Sequence, residues 1–141
     1  GRAVALERDL TELLPAVARA VVGSERINYQ GALVDLGLCA RRTVREALKT
    51  EAGIDDADAL DDDAWSVAIG NRVEPRLGRG CLTLLTDYPL AQAALARVRP
   101  DDPRTAERVE AYVEGLELAN GWTELTDPEE SSQAEVRGRC C

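Results

Sequence analysis

The chain has 141 residues and a formal net charge of −9, and 45% of its residues are hydrophobic. This length suits one ordinary domain, and this hydrophobic content is enough for a packed core, which argues against wholesale disorder. Nonspecific nucleic-acid binding requires clustered basic residues, but the chain has a single lysine and its arginines are interleaved with acids. A free-standing nucleic-acid-binding domain is therefore not expected.

The cysteines give no sign of a metal site. The chain has no histidine, and none of its four cysteines forms a C-x-x-C pair: Cys39, Cys81, Cys140 and Cys141. A structural zinc site needs four closely placed Cys or His ligands, so we interpret these residues as free thiols in a reducing cytoplasm. No apolar stretch reaches the length of a membrane span, and no signal-peptide pattern is present. The expected location is cytoplasmic, without membrane association.

The first element in chain order is a predicted helix. Leucines and valines recur at three- and four-residue steps over residues 2–22, which gives one apolar stripe. Pro15 lies within this stripe and predicts a kink or a break, and Gly23 is the expected end. Residues 29–36 form a short apolar stretch that we also expect to be helical.

Two more helices and an acidic loop are predicted before residue 71. Thr43 is the expected cap of a helix over residues 43–52. The acidic run 55–63 has two interpretations, a cation site or a solvated loop whose aspartates cap helices. Its spacing does not match the D-x-D-x-D-G calcium loop, which favours the second interpretation. Residues 61–70 are expected to form a third helix, with these side chains inward: Trp65, Ala68 and Ile69.

The pattern changes from helix to strand after residue 78. Residues 81–85 are a continuous apolar run, which is typical of a buried strand. Alternating residues over 107–114, a turn at Gly115 and a return strand over 116–125 predict a hairpin. Helices first and strands last favour an α+β fold, with helices flanking an antiparallel sheet.

The return strand carries polar residues where a strand is otherwise apolar. Glu117, Asn120 and Glu124 could line a pocket for an ammonium ion, a nucleotide or a metal, or could face water on an exposed hairpin. Asn120 and Glu124 share a face of a straight strand, whereas Glu117 points to the other face. A single pocket therefore requires a bulge, for which Gly121 is the natural position.

The same strand carries a family resemblance. Residues 115–127 read GLELANGWTELTD and resemble the sheet strand between motifs 2 and 3 of class II lysyl-tRNA synthetases. The ELANG form is closest to the ligases that attach β-lysine to elongation factor P. Three other stretches agree with that subgroup: RVEPRLG at 72–78, DYPLAQAALA at 87–96, and AERVE at 106–110 followed by Tyr112. Before residue 70 the match is weak.

The resemblance implies an antiparallel sheet with flanking helices, belonging to a class II aminoacyl-tRNA synthetase-like catalytic domain. It implies adenylation of lysine or β-lysine by ATP with Mg²⁺, followed by transfer to an acceptor. By the same resemblance, Glu117 and Leu118 would bind ATP, and Glu117 would also bind Mg²⁺. Asn120, Gly121 and Glu124 would bind the amino-acid substrate. No catalytic nucleophile is implied, because the substrate's own carboxylate attacks the nucleotide.

The resemblance covers an internal piece of the family's domain. We expect one partial catalytic domain over residues 1–141, in which residues 1–78 are helical, residues 79–127 form the sheet and residues 128–141 are a polar tail. The phosphate-binding arginine of motif 2 and the Gly-x-[DE]-Arg of motif 3 are expected outside it, so the isolated chain is expected to have little activity. The chain also has Trp-Thr after Asn120-Gly121, where the family usually has Phe followed by His or Ser.

The expected function is that of a fragment of an ATP-dependent ligase that transfers lysine or β-lysine to a lysine of elongation factor P. The first alternative is a fragment of a lysyl-tRNA synthetase, with lysine tRNA as the acceptor. The second is a non-catalytic, truncated paralogue that binds a partner or a small amino acid. The full-length protein could also form a homodimer.

Overall fold

The structure, a computed structural model, describes residues 2–124. Within them lie three α-helices and six strands, joined by short 3-10 and π turns. In chain order the elements are α1 Arg2–Val22, β1 Arg26–Tyr29, β2 Ala32–Thr43, α2 Val44–Ala52, α3 Asp62–Ala68, β3 Cys81–Pro89, β4 Val98–Arg99, β5 Asp102–Val113 and β6 Leu116–Trp122. The polar tail expected beyond residue 127 lies outside the described residues.

All six strands belong to one sheet. Its order is β1-β2-β3-β5-β4, and β6 pairs with β5. The pairings are antiparallel except for β2–β3, which is parallel. Parallel neighbours need a long crossover, and here α2 and α3 supply it between the two strands. The expected mixture of helices and a largely antiparallel sheet is confirmed, with this one parallel pair as the exception.

Helix α1 ends as predicted but does not break at Pro15. It is continuous from Arg2 to Val22, and Gly23 follows it with φ +76°. The Gly23 N–H donates to the Arg19 carbonyl at 3.0 Å, which satisfies one of the free carbonyls at the helix end. The helix packs on the sheet through Leu6, Leu10, Leu14 and Ala18.

The helical prediction for residues 29–36 is wrong. Strands β1 and β2 form a hairpin there, with Gln30 and Gly31 at φ 48° and 85° in the turn. Two successive positive φ values are what a two-residue hairpin turn requires. The Asn28 Oδ1 accepts from the Gly31 N–H at 3.0 Å. A short apolar run does not by itself distinguish helix from strand, and here burial of Val34 against α1 favours the strand.

Helix α2 begins at the predicted cap. The Thr43 hydroxyl accepts from the Glu46 N–H at 3.2 Å, and the Glu46 carboxylate accepts from the Thr43 N–H at 3.0 Å. This reciprocal pair is a capping box. In the acidic run, Asp56 caps a 3-10 turn and Asp61 caps α3, as the capping interpretation predicts.

The sheet separates two hydrophobic clusters. The cluster beneath α1 contains the buried residues Val34, Leu82, Leu84, Val109, Ala111 and others. The cluster on the opposite face is built by α2, α3 and the residues after α3, with Leu48, Val73, Leu77, Leu85 and Tyr88 among its members. The predicted inward residues of α3 belong to the second cluster or pack against it. Among residues 2–124, none of the helices combines the length and the apolar composition of a membrane span.

Candidate functional site

The predicted hairpin is present and carries the site. Strand β5 pairs with β6 around a turn in which Glu114 and Gly115 both have positive φ. Along β5, Val109, Ala111 and Val113 belong to the cluster beneath α1. The alternate residues Arg108, Glu110 and Tyr112 therefore lie on the opposite face. That face is covered, so Glu110 and Tyr112 are buried.

Three carboxylates meet on this side of the sheet: Glu110 is buried, Glu74 is partly buried and Glu117 is exposed. Oxygens of Glu74, Glu110 and Glu117 all lie within 4.8 Å of one another. Glu110 comes from β5 and Glu117 from β6, while Glu74 begins the 3-10 turn that follows α3. It is the acidic group within residues 2–124 whose ligand atoms are close enough to hold one metal ion.

A bulge brings Glu117 to this group. Ala119 pairs with Ala111, but the next pair is Glu117 with Tyr112, so Leu118 is the extra residue on β6. The predicted bulge exists, but its predicted position at Gly121 is wrong. Because of the shift, Glu117 and Asn120 stand opposite Tyr112 and Glu110 on the same face, although they are three residues apart. The hairpin therefore unites two of the residues that simple alternation separates.

The phenol of Tyr112 lies between two of the carboxylates. Its oxygen is 2.6 Å from Glu110 Oε2 and 3.1 Å from Glu74 Oε1. A hydroxyl has one proton and can donate to only one of them, so the other carboxylate receives no hydrogen bond from this phenol. Burial, followed by the hydrogen bond and the charge of Glu110, raises the pKa of Tyr112, which keeps the phenol protonated.

Arg108 is the cation that holds the site together. Its guanidinium contacts Glu110 Oε1 at 2.7 Å and donates to Asn120 Oδ1 at 3.2 Å and to the Gln92 carbonyl at 3.0 Å. It also lies 4.6 Å above the centre of the Tyr88 ring, a favourable cation–π geometry. One guanidinium against three carboxylates leaves a formal charge of −2 on these four groups.

The excess negative charge is visible at Glu117. Burial first, and then the charges of Glu110 and Glu74, raise the pKa of Glu117 above its usual range. Like charges held close together disfavour the ionised form, and a bound cation relieves this cost. Carboxylate oxygens are the ligands that Mg²⁺ prefers, and they also pair with an ammonium group. The residues present thus fit either a divalent cation or an ammonium ion.

The structure assembles some of the predicted site residues and separates others. Glu117 and Asn120 join the site, and Leu118 is the exposed bulge residue between them. Glu124 is exposed and pairs with Ala96 in an isolated bridge. Gly121 pairs with Val109, and a Cβ built on it would overlap the Cδ2 of Leu6. The side of Gly121 that would carry a Cβ thus faces α1, away from the carboxylates.

Sequence reasoning missed Glu74, Arg108, Glu110 and Tyr112 as site residues. Glu110 and Tyr112 alternate with apolar residues, which normally indicates a solvent-facing side of a strand. Both lie within stretches that carry the family resemblance, as does Glu74. That overlap was the available signal, because it placed three polar side chains in family-like blocks beside the polar strand β6.

Comparison with known proteins identifies relatives for most of the chain. No protein-family model matches it. It is 37% identical over 135 residues to elongation factor P–(R)-β-lysine ligase of Vibrio cholerae, covering 89% of this chain and 41% of that protein. The ligase of the same name from Vibrio vulnificus is 39% identical over 116 residues, covering 76% of this chain and 35% of that protein. Lysine–tRNA ligase of Moorella thermoacetica is 34% identical over 139 residues, covering 84% of this chain and 28% of that protein.

The chain spans well under half the length of these curated relatives. The first two relatives are ligases of the kind that the ELANG resemblance indicated, and the third is a lysine–tRNA ligase. This chain belongs to the lysyl-tRNA-synthetase-like ligase family, as a homologue of one segment of the elongation factor P–β-lysine ligases and lysine–tRNA ligases.

Proposed function

We propose that this chain is the segment of a class II, ATP-dependent lysine-activating ligase that binds the amino acid and a portion of the ATP–Mg²⁺ complex. The observation that carries the proposal is the group Glu74, Glu110 and Glu117, gathered beside Asn120 on one face of the sheet, with Glu110 buried and with Glu117 and Asn120 exposed. A site with excess negative charge that is open to solvent at Glu117 suits a cationic ligand. Lysine, β-lysine and Mg²⁺ are all cationic ligands of this kind.

The reaction in this proposal joins the substrate carboxylate to the α-phosphate of ATP and releases pyrophosphate. The resulting adenylate then passes the aminoacyl group to an acceptor. Glu117 is assigned to Mg²⁺ and, with Leu118, to ATP; the metal supplies charge neutralisation of the phosphates when bound. Asn120, Gly121 and Glu124 are assigned to the amino acid. These residues act by positioning and by compensating charge.

Elongation factor P is the proposed acceptor, with (R)-β-lysine as the amino acid. The relatives with 35–39% identity carry that ligase name, whereas the lysine–tRNA ligases are 32–34% identical. The net charge of −9 also disfavours contact of this segment with the phosphates of a tRNA. The described cysteines, Cys39 and Cys81, are free thiols, which fits the cytoplasmic location included in this proposal.

Calorimetric titration of the 141-residue chain with (R)-β-lysine and with Mg²⁺·ATP tests the two binding roles separately. Glu124→Gln removes a charge from an exposed side chain, so we expect roughly tenfold weaker β-lysine binding, which corresponds to about 1.4 kcal/mol. Binding of Mg²⁺·ATP should change little. Glu117→Gln should have the opposite selectivity, with weaker Mg²⁺·ATP binding.

Glu12→Gln is the matched control, because Glu12 is an exposed acid on α1. It should leave both affinities unchanged. Equal losses for both ligands in both site variants would show that Glu117 and Glu124 are structural. Failure of the parent chain to bind either ligand would contradict the proposal for this chain.

A further inference from the structure

Strand β3 changes the face to which it directs its side chains at Asp87. Thr86 pairs with Val109, which belongs to the cluster beneath α1. Tyr88 pairs with Ala106, and both belong to the cluster on the opposite face. Residues two apart on a regular strand share a face, so the chain must turn over between them. The turn is at Asp87, which has φ +59°.

Two arginines contact the carboxylate of Asp87. Its Oδ2 is 3.1 Å from Arg41 Nη2, and its Oδ1 is 2.8 Å from Arg99 Nη1. Arg41 also contacts Glu7 of α1 at 3.1 Å. The Asp87 side chain is only 16% exposed. The Asp87 side chain is thus in contact with β2, with β4 and, through Arg41, with α1.

The turn determines where Tyr88 lies. Tyr88 is 3% exposed, and its ring centre is 6.3 Å from that of Trp65. The guanidinium of Arg108 lies over the same ring, 4.6 Å from its centre. The Tyr88 hydroxyl is buried without a hydrogen bond of normal geometry, and burial followed by the nearby charge of Glu110 raises its pKa. Tyr88 therefore serves as an aromatic support beneath Arg108.

We propose that Asp87 is a positioning residue of the candidate site: its left-handed turn places Tyr88 beneath Arg108, and Arg108 in turn orients Glu110 and Asn120. Through Arg41, the Asp87 side chain is linked to Glu7 of α1, on the side of the sheet away from the carboxylates. Asp87 therefore need not touch a ligand. The inference rests on the proposed function only for the choice of ligand. Its structural component, the placement of Tyr88, has a readout of its own.

Substitution at Asp87 separates backbone conformation from charge. Asn and Gly adopt the left-handed region readily, whereas an alanine there is strained. In Asp87→Ala the chain relieves this strain by returning to regular strand geometry, which would turn Tyr88 toward α1. Asp87→Asn and Asp87→Gly keep the turn while removing the charge or the whole side chain. Gln30→Ala is the matched control, because Gln30 also has a positive φ but lies in the β1–β2 turn.

Two measurements on the full 141-residue chain test the proposal. Fluorescence of Trp65, recorded in a Trp122→Phe background, reports whether Tyr88 still packs beside it. Calorimetry with (R)-β-lysine, recorded with Trp122 intact, reports the state of the site. Asp87→Ala should shift the Trp65 emission to longer wavelength and weaken binding roughly tenfold, which matches the strain of the left-handed residue. Asp87→Asn, Asp87→Gly and Gln30→Ala should keep both signals close to those of the parent.

Unchanged Trp65 emission in Asp87→Ala would overturn the proposal. A change of Trp65 emission and of β-lysine binding in Asp87→Gly as large as that in Asp87→Ala would also overturn it, because it would assign the effect to the ion pairs. If Asp87→Ala does not fold, Asp87→Asn and Asp87→Gly decide alone, since a changed Trp65 emission in Asp87→Gly overturns the proposal and parent-like emission in both supports it. If neither the parent nor any variant binds (R)-β-lysine, the proposed function fails, and the Trp65 emission still decides the role of Asp87.

Discussion

The face of the sheet beneath α1 is aliphatic, whereas the face covered by α2, α3 and residues 69–77 contains buried charge. Strand β5 contributes to both, with Val109 and Ala111 toward α1 and Glu110 and Tyr112 toward the other side. On the first face, stability comes from excluding water from leucine and valine side chains. On the second, Glu110 is tolerated because Arg108 and Tyr112 satisfy it.

The difference shows how one hairpin serves both folding and binding. The aliphatic face requires only shape and apolar area, so many sequences would satisfy it. The charged face requires specific partners at specific distances, and removal of one partner leaves another buried group unsatisfied. Substitutions on the two faces should therefore have different effects. Those beneath α1 should be accommodated by repacking of side chains, whereas those on the other face should lower stability through the loss of coupled electrostatic interactions.

The largest effect is expected at Gly78, where the covering segment meets β5. Gly78 has φ +69°, and a Cβ there would overlap the Tyr112 carbonyl and stand 2.5 Å from Val113 Cα. Both atoms are backbone, so Gly78→Ala should lower the free energy of unfolding by about 3 kcal/mol, combining left-handed strain and overpacking. Urea denaturation measures the loss.

Gly53 provides the control for this substitution. It also has φ +69°, but nothing lies within 4 Å of the position that a Cβ would occupy. Gly53→Ala should lower the free energy of unfolding by only about 1 kcal/mol, the left-handed strain alone. Equal losses at the two positions would show that the close approach of residues 77–78 to β5 does not hold the charged face in place.

The next largest effect is expected from Arg108→Met, which keeps much of the apolar stem and removes the charge. Glu110, with a side chain 9% exposed, would lose its partner beside Glu74 and Glu117. The free energy of unfolding at pH 7 should fall by about 2 kcal/mol, and the double variant Arg108→Met, Glu110→Gln should recover some of it. Thermal or urea denaturation of Arg108→Met, of Glu110→Gln and of the double variant completes the cycle. Strictly additive losses would mean that the two residues are not coupled.

A smaller effect is expected from Gly121→Ala on the aliphatic face. Its Cβ would overlap the Cδ2 of Leu6, the end of a flexible side chain. The loss in the free energy of unfolding should be about 1 kcal/mol, and Leu6→Ala in the same chain should relieve the overlap. If the assignment of Gly121 to the amino acid holds, binding of (R)-β-lysine should weaken as well, because the overlap displaces the strand that carries Asn120. Unchanged binding beside a loss of stability would show that Gly121 only packs against α1.

The smallest effect, and one of opposite sign, is expected from Glu117→Gln. The raised pKa of Glu117 means that the folded chain binds this proton more tightly than the unfolded chain does. Its ionisation therefore destabilises the fold progressively as pH rises above about 4.3, the ordinary glutamate value. Glu117→Gln should raise the free energy of unfolding at pH 7, and the difference from the parent should vanish near the acid end of the range.

Glu114→Gln is the contrasting variant. The Gly80 N–H and then Arg79 lower the pKa of Glu114, so its charge stabilises the fold above its unfolded pKa and the contribution is lost as pH falls. This variant should be less stable than the parent at pH 7, and the gap should close on acidification. Urea denaturation at pH 7 and pH 4 compares the two variants. If Glu117→Gln is less stable than the parent at pH 7, the carboxylates do not repel one another.

Local features that depend on a few neighbouring residues could be predicted from the sequence. The Thr43 cap, the Gly23 helix end and the Gly115 hairpin turn each follow from one residue type at one position. The family resemblance located the polar strand β6. The fold of residues 29–36 could not be predicted in this way, because a short apolar run fits a helix and a strand equally well.

The aliphatic core, the order of most elements and the polar residues on β6 could all be read from the order of the amino acids. The shared site of Glu74, Glu110 and Glu117, and the turn at Asp87 that places Tyr88 beneath Arg108, became apparent only in the folded chain. Both features depend on the register of the strands. The Leu118 bulge and the left-handed Asp87 each shift which residues face which side, and such shifts arise from the pairing of strands far apart in the chain.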